Sequence, residues 1–289
     1  MPQAKAETVK EFDFTKSDFE RVRELIYKRA GISLAESKQE MVYSRLARRL
    51  RATGIDSFAR YLADLEAGRM ADEWESFTNA LTTNLTSFFR EAHHFPLLAE
   101  HLKKLRGASA TQPITIWCSA SSTGEEPYSI AITACEAFNS LTPPVQIIAT
   151  DIDTNVLGVA GRGVYGLDRI EKLEPERLRR FFLRGKGAQE GMVRVRPELR
   201  QLVTFRPLNL LEDQWGLTGQ FSQLDVIFCR NVMIYFDKPT QRKILSRFVP
   251  LMRENALLFA GHSENFLYVS DSLKLRGKTV YELDARRAA

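Results

Sequence analysis

The sequence predicts a Rossmann-like α/β domain of the nucleotide-binding type, preceded by an all-helical N-terminal domain. Three patterns support this fold class. Short apolar runs rich in β-branched residues alternate with helical patterns from residue 113 onward, as in a parallel sheet covered by helices. Before residue 82, the apolar residues follow only helical spacing. Near residue 190, turn glycines and period-two alternation interrupt the α/β pattern.

The composition excludes several classes of protein. The 289-residue chain is 44% hydrophobic and 27% charged, with a net charge of +5, which permits an acidic partner but does not by itself indicate nucleic acid. No apolar run approaches the roughly 20 residues that span a bilayer, and no signal core is present, so we expect a cytoplasmic protein without membrane insertion. The three cysteines and four histidines share no ligand spacing, so we expect reduced thiols and no metal.

The N-terminal domain is predicted to span residues 11–82 and to contain four helices. Ser17 is the predicted N-cap of the first helix. Gly31 and Gly54 are the predicted ends of the first two helices, because glycine adopts the left-handed conformation that terminates a helix.

The second of these helices is basic. Its residues Arg45, Arg48 and Arg49 can share one face. One interpretation is a docking surface for an acidic helix or for nucleic acid. The other is an ordinary solvated face, which is the more frequent meaning of a run of charges.

The segment T-N-L-T-S-F-F-R-E, residues 83–91, joins the two domains. Its mixture of polar and aromatic residues suits neither a helix core nor a solvated linker, which favours a segment that lies across the mouth of a pocket. The alternative is a capped turn in which Thr86 or Ser87 begins a helix.

The α/β domain begins with a strand, a turn of small residues and a helix. Ile114–Cys118 is predicted as a buried strand, and Glu125, Glu126 and Pro127 suit a first helical turn. The turn lacks G-x-G-x-x-G, and two carboxylates at the helix start disfavour phosphate. S-adenosylmethionine suits them better, since it has a ribose, an ammonium group and a sulfonium. Alternatively, each glutamate only complements the helix dipole.

Later strands add further candidates. The strand V-Q-I-I-A-T-D ends at Asp151, where nucleotide-binding folds hydrogen-bond a ribose hydroxyl. Residues 184–207 are predicted to form a small antiparallel insertion. The stretch L-D-V-I-F-C-R-N-V-M-I-Y-F follows and is predicted as a long buried strand whose end carries Arg230 and Asn231. The chain closes with another strand and a hairpin, S-L-K-L-R-G-K-T-V-Y-E-L.

Five motifs, in this order, resemble those of the CheR-type chemoreceptor methyltransferases: T-N-L-T-S-F-F-R-E, S-T-G-E-E-P-Y-S-I-A, A-T-D-I-D, F-C-R-N-V-M-I-Y-F and L-F-A-G-H-S-E. The resemblance implies a class I methyltransferase domain over residues 83–289, with a small antiparallel β-subdomain. It implies methyl transfer from S-adenosylmethionine to glutamate side chains of chemotaxis receptors. The products would be γ-glutamyl methyl esters and S-adenosylhomocysteine.

The resemblance also implies roles for individual residues. Those that would contact the cofactor are Asn84, Thr86, Arg90, Glu126, Asp151, Asn209, Leu210, Arg230 and Asn231. Arg90 and Tyr235 would lie near the transferred methyl group; alternatively, Tyr235 only fills space after a strand. Glu125 keeps the role of complementing the helix dipole.

The resemblance implies two contacts with receptors. The arginines of the second helix would face the cytoplasmic helices of chemoreceptors. The β-subdomain would, in some members of the family, bind a short peptide at the receptor C-terminus.

The residues leave other functions open. One is a methyltransferase for nucleic acid, another acidic protein or a small molecule, although the strand end R-N-V-M-I-Y differs from the N-P-P-Y loop associated with base methylation. Another is a non-catalytic signalling module that binds S-adenosylmethionine. The lack of an evident catalytic histidine or cysteine does not count against methyl transfer, because a glutamate with a pKa of about 4.3 is already ionised at neutral pH.

Overall fold

A computed structural model describes residues 10–108, 112–217 and 219–284 of the chain. These residues form two compact units that divide between Thr82 and Thr83. No helix among them is long and apolar enough to cross a membrane.

The N-terminal unit is helical, as predicted. Its helices are α1 (Lys16–Ala30), α2 (Gln39–Thr53), α3 (Phe58–Glu66) and α4 (Glu73–Leu81). The predicted ends at Gly31 and Gly54 are confirmed, since both glycines are left-handed, with φ of 69° and 70°. The prediction of Ser17 as N-cap is wrong, because the N-cap is Thr15, two residues earlier, which forms a reciprocal capping box with Asp18, and Ser17 lies inside α1.

The second unit contains two sheets. Its strands are β1 (Ile114–Cys118), β2 (Val145–Asp151), β3 (Val164–Gly166), β4 (Phe182–Arg184), β5 (Met192–Val195), β6 (Val203–Pro207), β7 (Leu224–Cys229), β8 (Met252–Ala260), β9 (Leu273–Gly277) and β10 (Val280–Leu283). The main sheet has the order β6-β2-β1-β7-β8-β10-β9, and the small sheet has the order β3-β5-β4. Strands β6, β2, β1, β7 and β8 are parallel to their neighbours in this list.

Helices cover the main sheet because alternate residues of each strand point to opposite faces. The helices of this unit are α5 (His94–Ala108), α6 (Glu125–Ala137), α7 (Thr154–Arg162), α8 (Pro175–Phe181), α9 (Pro197–Arg200) and α10 (Lys238–Phe248). Ile116 of β1 belongs to the core cluster that contains Leu98 of α5 and Ile130 of α6. The next residue, Trp117, belongs to a second cluster with Phe248 of α10.

The strand order indicates which edge of the main sheet binds a ligand. Strand β1 lies between β2 and β7, so the chain continues to one side of β1 and later to the other. The carboxyl ends of these strands, at Cys118, Asp151 and Cys229, meet at one edge. In open α/β sheets, ligands bind outside this edge, where the strand order reverses.

The predicted antiparallel insertion at residues 184–207 is wrong at both ends. The small antiparallel sheet takes its first strand from β3, before the predicted segment. Strand β6 belongs instead to the main sheet, where it pairs in parallel with β2. As an edge strand, β6 has both buried and exposed residues, and the resulting alternation is the same one that a half-exposed antiparallel strand shows.

The predicted closing hairpin is confirmed, because β9 and β10 pair antiparallel. Its two turn residues, Lys278 and Thr279, have positive φ values of 49° and 61°. Positive φ at both positions is the geometry of a type I′ turn, whose twist matches that of the flanking strands.

Candidate active site

Five parts of the second unit meet at the carboxyl edge of the main sheet. They are the linker segment (residues 83–91), the small-residue loop (residues 119–124), the end of β2, the turn after β7 (residues 230–236) and the loop after β8 (residues 261–270). Hydrogen bonds between side chains and backbone join these parts, as described below.

The linker segment crosses the edge of the sheet. At one end, the Asn84 side chain donates to Asp153 at 2.8 Å, and the Ser122 hydroxyl donates to the Asn84 carbonyl at 3.2 Å. At the other end, the Asn231 side chain donates to Glu91 at 3.2 Å. The alternative of a helix beginning at Thr86 or Ser87 is wrong, because α5 begins at His94.

The small-residue loop makes a tight turn close to its neighbours. The Ser122 amide donates to the Asp151 carboxylate at 2.8 Å, from a residue with φ of 47°. Gly124 has φ of 99°, and a Cβ atom there would lie 2.7 Å from the Tyr165 hydroxyl and 2.9 Å from Cβ of Ala160. Only glycine fits this position, which explains the break in the run of serine and threonine residues.

Asp151 lies at the centre of one half of the edge. Its carboxylate is buried and accepts from the amides of Ser122 and Asp153, at 2.8 and 3.0 Å. Burial raises the pKa of Asp151 to about 6, although both amides act to lower it. A carboxylate has about four lone-pair positions, so Asp151 can accept further hydrogen bonds from a ligand.

Asn209 and Leu210 follow the neighbouring strand β6. The Leu208 amide donates to the Asp151 carbonyl at 2.9 Å, which continues the pairing of the two strands beyond their ends. The Asn209 side chain accepts from the Leu211 amide at 3.0 Å. The structure therefore brings the predicted residues Asp151, Asn209 and Leu210 together.

Glu125 does more than complement the helix dipole. It is fully buried, accepts from the Thr123 hydroxyl at 2.6 Å and forms an ion pair with Arg169, whose Nε lies 3.0 Å away. Arg169 also donates to the Thr86 carbonyl at 3.4 Å. Glu125 and Arg169 thus fix the linker segment to the start of α6, a role that the sequence did not indicate.

Glu126 and Arg230 form a buried ion pair beneath the linker segment. The Arg230 Nη1 atom lies 3.2 Å from a Glu126 carboxylate oxygen, and the Cys118 thiol donates to the other oxygen at 3.3 Å. Burial raises the pKa of Glu126, and Arg230 opposes that effect. These two residues were predicted from separate motifs, and the structure brings them into contact.

Arg230 also connects Glu126 to the linker segment. It lies 3.5 Å from Glu91 and donates to the Arg90 carbonyl. Burial acts to raise the pKa of Glu91, but Arg230, together with His262 and Asn231, lowers it below the usual value. The Arg90 side chain donates to the Leu85 carbonyl at 2.7 Å and is partly exposed.

Glu264 anchors the turn after β7. Its carboxylate accepts from the amides of Gly261, Asn231 and Met233, at 2.6, 2.9 and 2.8 Å. Burial raises the pKa of Glu264, although these amides oppose it. Because Asn231 and Met233 are fixed in this way, Tyr235 is presented two residues later on a short 3₁₀ turn, where it is half-buried.

Backbone strain is concentrated at this edge. Among the described residues, seven other than glycine have positive φ, and four of these are at the site: Phe89, Glu91, Ser122 and Asn231. Such conformations cost about 1–3 kcal/mol each and persist where surrounding contacts enforce them. The contacts described above supply that enforcement.

Three residues of the site were missed from the sequence: Glu91, Arg169 and Glu264. Two had a signal, because Glu91 and Glu264 are the last letters of T-N-L-T-S-F-F-R-E and L-F-A-G-H-S-E. Arg169 had none, since it lies on a 3₁₀ turn between motifs.

One cluster of potential metal ligands is relevant to the prediction that the protein has no metal site. Glu91, His93 and His94 place one potential ligand atom each within 4.8 Å of one another. The His94 ring lies 3.0 Å from the Lys278 carbonyl, and burial lowers the pKa of His94 to about 4. Arg230 already places a positive charge 3.5 Å from Glu91, which disfavours a cation at the same carboxylate.

The predicted docking arginines have different environments in the N-terminal unit. The Arg48 side chain is exposed. Arg45 donates to the carbonyls of Ala80 and Thr82, and Arg49 makes two hydrogen bonds of 2.8 Å to Glu73. Two of the three arginines therefore stabilise the unit itself.

The site fits a ligand that has hydroxyl groups at one end and charges at the other. Asp151 offers acceptor positions for hydroxyl groups. The buried polar atoms without a hydrogen-bond partner in the described part of the chain include four at this edge: Ser121 Oγ, Arg230 Nε, Arg230 Nη1 and Glu91 Oε2. Buried polar groups normally have partners, so these atoms agree with a polar, charged ligand such as S-adenosylmethionine.

Comparison with known proteins agrees with this arrangement. Residues 17–82 match the family model described as CheR methyltransferase, all-alpha domain, and residues 84–281 match the model described as CheR methyltransferase, SAM binding domain.

Curated relatives match over most of their length. "Chemotaxis protein methyltransferase 2" of Pseudomonas aeruginosa is 56% identical over 94% of this chain and 94% of that protein. "Chemotaxis protein methyltransferase" of Salmonella typhimurium is 54% identical over 93% of this chain and 91% of that protein. The protein of the same name from Escherichia coli strain K12 is 52% identical over 92% and 90% of the two chains.

Proposed function

The chain belongs to the CheR methyltransferase family, and on that premise we propose that it methylates glutamate side chains of chemoreceptor cytoplasmic helices in chemotaxis. It is a methyltransferase with an S-adenosylmethionine-binding domain. The proposed products are glutamyl methyl esters and S-adenosylhomocysteine. The main support for this proposal is the position of Arg90. Its side chain is partly exposed and can pair with a substrate carboxylate, while its carbonyl is hydrogen-bonded to Arg230 of the candidate active site.

The residues that we propose to bind the cofactor come from both halves of the carboxyl edge: Asn84, Thr86, Arg90, Glu126, Asp151, Asn209, Leu210, Arg230 and Asn231. Asp151 is proposed to accept from the ribose hydroxyls, as expected at the end of the second strand of this fold. The pair of Glu126 and Arg230 offers one charge of each sign, which complements the ammonium and carboxylate groups of the methionine end. Bound there, S-adenosylmethionine would supply an electrophilic methyl group.

The proposed reaction needs no general base. A glutamate side chain, with a pKa of about 4.3, is ionised at neutral pH and can attack directly. Attack of a carboxylate on a sulfonium neutralises opposite charges, so alignment of the two groups and exclusion of water are the main contributions expected of the protein. The linker segment, which crosses the edge of the sheet, is positioned to exclude water.

Arg90 and Tyr235 are the proposed catalytic residues. The Arg90 guanidinium can pair with the carboxylate of the acceptor and orient it. Its anchoring to the Leu85 carbonyl uses Nη1, and a guanidinium has five N–H donors, so donors remain for a substrate. Tyr235 is proposed to position the acceptor through its hydroxyl.

Recognition of the receptor is proposed to use two further surfaces. Arg45, Arg48 and Arg49 of the helical domain, proposed to span residues 11–82, would face acidic receptor helices. Arg48 carries most of this proposal, because the other two arginines have partners within the unit. The small antiparallel sheet is proposed to bind a C-terminal receptor peptide in systems that have one.

The test is a transfer assay with S-adenosylmethionine labelled in its methyl group, several receptor cytoplasmic fragments, and the same fragments without their C-terminal tails. We expect label in the fragment that is released as methanol in mild base, as for an ester. Binding of cofactor without transfer to any fragment would contradict the proposal and favour a non-catalytic signalling module. Label that is stable to base would indicate another acceptor group.

A further inference from the structure

We propose that four exposed apolar residues form a docking rim for the substrate helix on the catalytic domain itself. The residues of this apolar rim are Leu85, Ile234, Leu267 and Tyr268. The inference rests on the proposed function, since it names the surface that recognises the neighbours of the target glutamate. The occupant is an amphipathic helix in which uncharged, apolar side chains flank that glutamate.

The exposure of the rim is the first observation. Tyr268 is 86% exposed, Leu85 78%, Ile234 49% and Leu267 40%. Among the described residues, eight large apolar side chains are exposed, and these four are half of them. Single exposed apolar residues need no explanation, but a group at one edge of a sheet marks an interaction surface.

Hydrogen bonds connect the three segments that carry the rim. The Arg90 side chain donates to the carbonyl of Leu85 itself. Glu264 accepts from Met233, the residue before Ile234, and from Gly261 in the loop after β8. Tyr268 lies four residues beyond Glu264, which limits its distance along the chain to about 14 Å. The three segments that carry the rim are therefore hydrogen-bonded to residues of the candidate active site.

The charge pattern of these segments favours an apolar partner. Neither N-V-M-I-Y-F, residues 231–236, nor N-F-L-Y-V-S, residues 265–270, contains a charged residue, although 27% of the whole chain is charged. The cations nearest in sequence to the rim are Arg230 and Lys238, each four residues from Ile234, and Arg90, five residues from Leu85 and hydrogen-bonded to it; of these, Arg230 is buried. An apolar surface with cations beside it complements a carboxylate among apolar neighbours.

A helix presents such a pattern on one face. Residues three and four positions from a glutamate lie on the same face of a helix, with Cβ atoms about 5–6 Å apart. When the glutamate reaches Arg90, these neighbours are the side chains that can contact the rim. The rim would therefore select glutamates flanked at these positions by apolar residues and discriminate against glutamates flanked by charges.

The test measures methyl-transfer kinetics of the full-length protein on a receptor cytoplasmic fragment. We expect the double variant Leu267→Ser, Tyr268→Ser to raise KM for the fragment about tenfold, as expected from the loss of apolar contacts. Turnover at saturating fragment and the Kd for S-adenosylmethionine should stay within about twofold of wild type. Ile234→Ser, on a separate segment, should raise KM in the same direction.

The matched control is Leu275→Ser. Leu275 is 45% exposed, but it lies on β9 at the far edge of the main sheet. Its KM should equal that of wild type. A second arm uses fragments in which the residues three and four positions from the target glutamate are changed to lysine, which should raise KM for wild type but not for the double variant.

The outcomes separate the rim from the proposed function. If wild type transfers methyl groups and the rim variants have the KM of the Leu275→Ser control, the rim is contradicted and the proposed function stands. If wild type transfers no methyl group to any fragment, the proposed function fails, and the rim fails with it. If a rim variant has a lowered melting temperature, Tyr268→Phe, which keeps the ring, should restore both melting temperature and KM.

Discussion

Two arginine–glutamate pairs with buried carboxylates, one in each unit, differ in how fully they are satisfied. In the N-terminal unit, Arg49 donates twice to Glu73 at 2.8 Å, and the Tyr61 hydroxyl donates to the same carboxylate at 2.8 Å. In the second unit, Arg230 lies 3.2 Å from Glu126 and 3.5 Å from Glu91. Its Nε and Nη1 atoms are buried without a hydrogen-bond partner among the described residues.

The difference separates a structural ion pair from a functional one. In a closed pair such as Arg49 with Glu73, both carboxylate oxygens accept from side chains of the same unit, so the pair serves to stabilise that unit. An open pair such as Arg230 with Glu126 keeps polar groups available in a region of low dielectric, where a charged ligand interacts strongly. We therefore expect changes in the first pair to affect stability and changes around the second to affect cofactor and substrate.

The largest expected effect is on the closed pair. Glu73→Leu should lower the free energy of unfolding by about 3 kcal/mol, because it leaves the Arg49 charge and the buried Tyr61 hydroxyl without their partner. Urea denaturation followed by circular dichroism measures this loss. The Kd for S-adenosylmethionine, measured under native conditions, should not change.

The matched control for this prediction is the double variant Arg49→Met, Glu73→Leu, which removes both charges. Removing both charges together costs less than removing one of them, so the part of the loss that comes from the unpaired Arg49 charge should return, while the part that comes from the unpaired Tyr61 hydroxyl should remain. A double variant as unstable as Glu73→Leu would contradict the view that an unpaired charge causes the loss.

The next largest effect is on the affinity for the cofactor. Asp151→Ala should raise the Kd for S-adenosylmethionine about 30-fold, because hydrogen bonds to a charged group contribute about 1.5–3 kcal/mol. Isothermal titration calorimetry measures this change. Unchanged affinity would remove Asp151 from the proposed ribose site.

The pH dependence of binding sharpens the same assignment. Burial raises the pKa of Asp151 to about 6, so affinity for S-adenosylmethionine should fall as pH is lowered through 6 and the carboxylate loses its charge.

The effect of Asp151 on the free energy of unfolding has the opposite sign. Because the folded-state pKa is raised, the protonated group contributes stability below pH ~4, and this contribution is lost as pH rises through 6. In Asp151→Asn, the part of the pH dependence of binding that is centred near 6 should disappear.

The smallest effect concerns the exposed arginine of α2. Arg48→Glu should raise KM for a receptor fragment about threefold, as expected for a solvent-exposed charge pair, and leave cofactor affinity unchanged. Raising the salt concentration should reduce the difference from wild type. Arg242→Glu, an equally exposed charge reversal on α10, is the control, and equal KM values for the two variants would favour a solvated face at Arg48.

Local patterns predicted much of the fold. Buried strands β1, β2 and β8 were predicted from apolar runs, and Gly31 and Gly54 from the left-handed ends of helices. The strand over L-D-V-I-F-C-R-N-V-M-I-Y-F was predicted too long, because β7 ends at Cys229 and Met233–Tyr235 form a 3₁₀ turn; an apolar run alone does not show where a strand ends. Strand β6 was assigned to the wrong sheet, because alternation reports exposure of one face and not the direction of the partner strand. Ser17 was predicted as the N-cap of α1, but Thr15 has this role. Both residues have an acidic residue three positions later, Glu20 after Ser17 and Asp18 after Thr15, so the local capping pattern does not distinguish them.

The candidate site was predictable only where a strand end or motif fixed a residue. Asp151, Arg230 and Asn231 follow directly from the ends of strands. The contacts that organise them do not, since Glu91 and Asn231 are separated by 140 positions in the chain. Arg169 reaches Glu125 from a turn without a pattern. Such pairings depend on tertiary structure, which a local reading of one sequence does not contain.

The contrast between the two pairs is tested most directly by measuring the same two quantities on Glu73→Gln and Glu91→Gln. These quantities are the free energy of unfolding and the initial rate of base-labile methyl transfer to a receptor fragment. We predict that Glu73→Gln loses stability and retains the rate of wild type. Glu91→Gln should lower the initial rate of methyl transfer tenfold or more, and its free energy of unfolding should stay within about 1 kcal/mol of wild type. Equal losses of both quantities in the two variants would contradict the distinction between a closed structural pair and an open functional one.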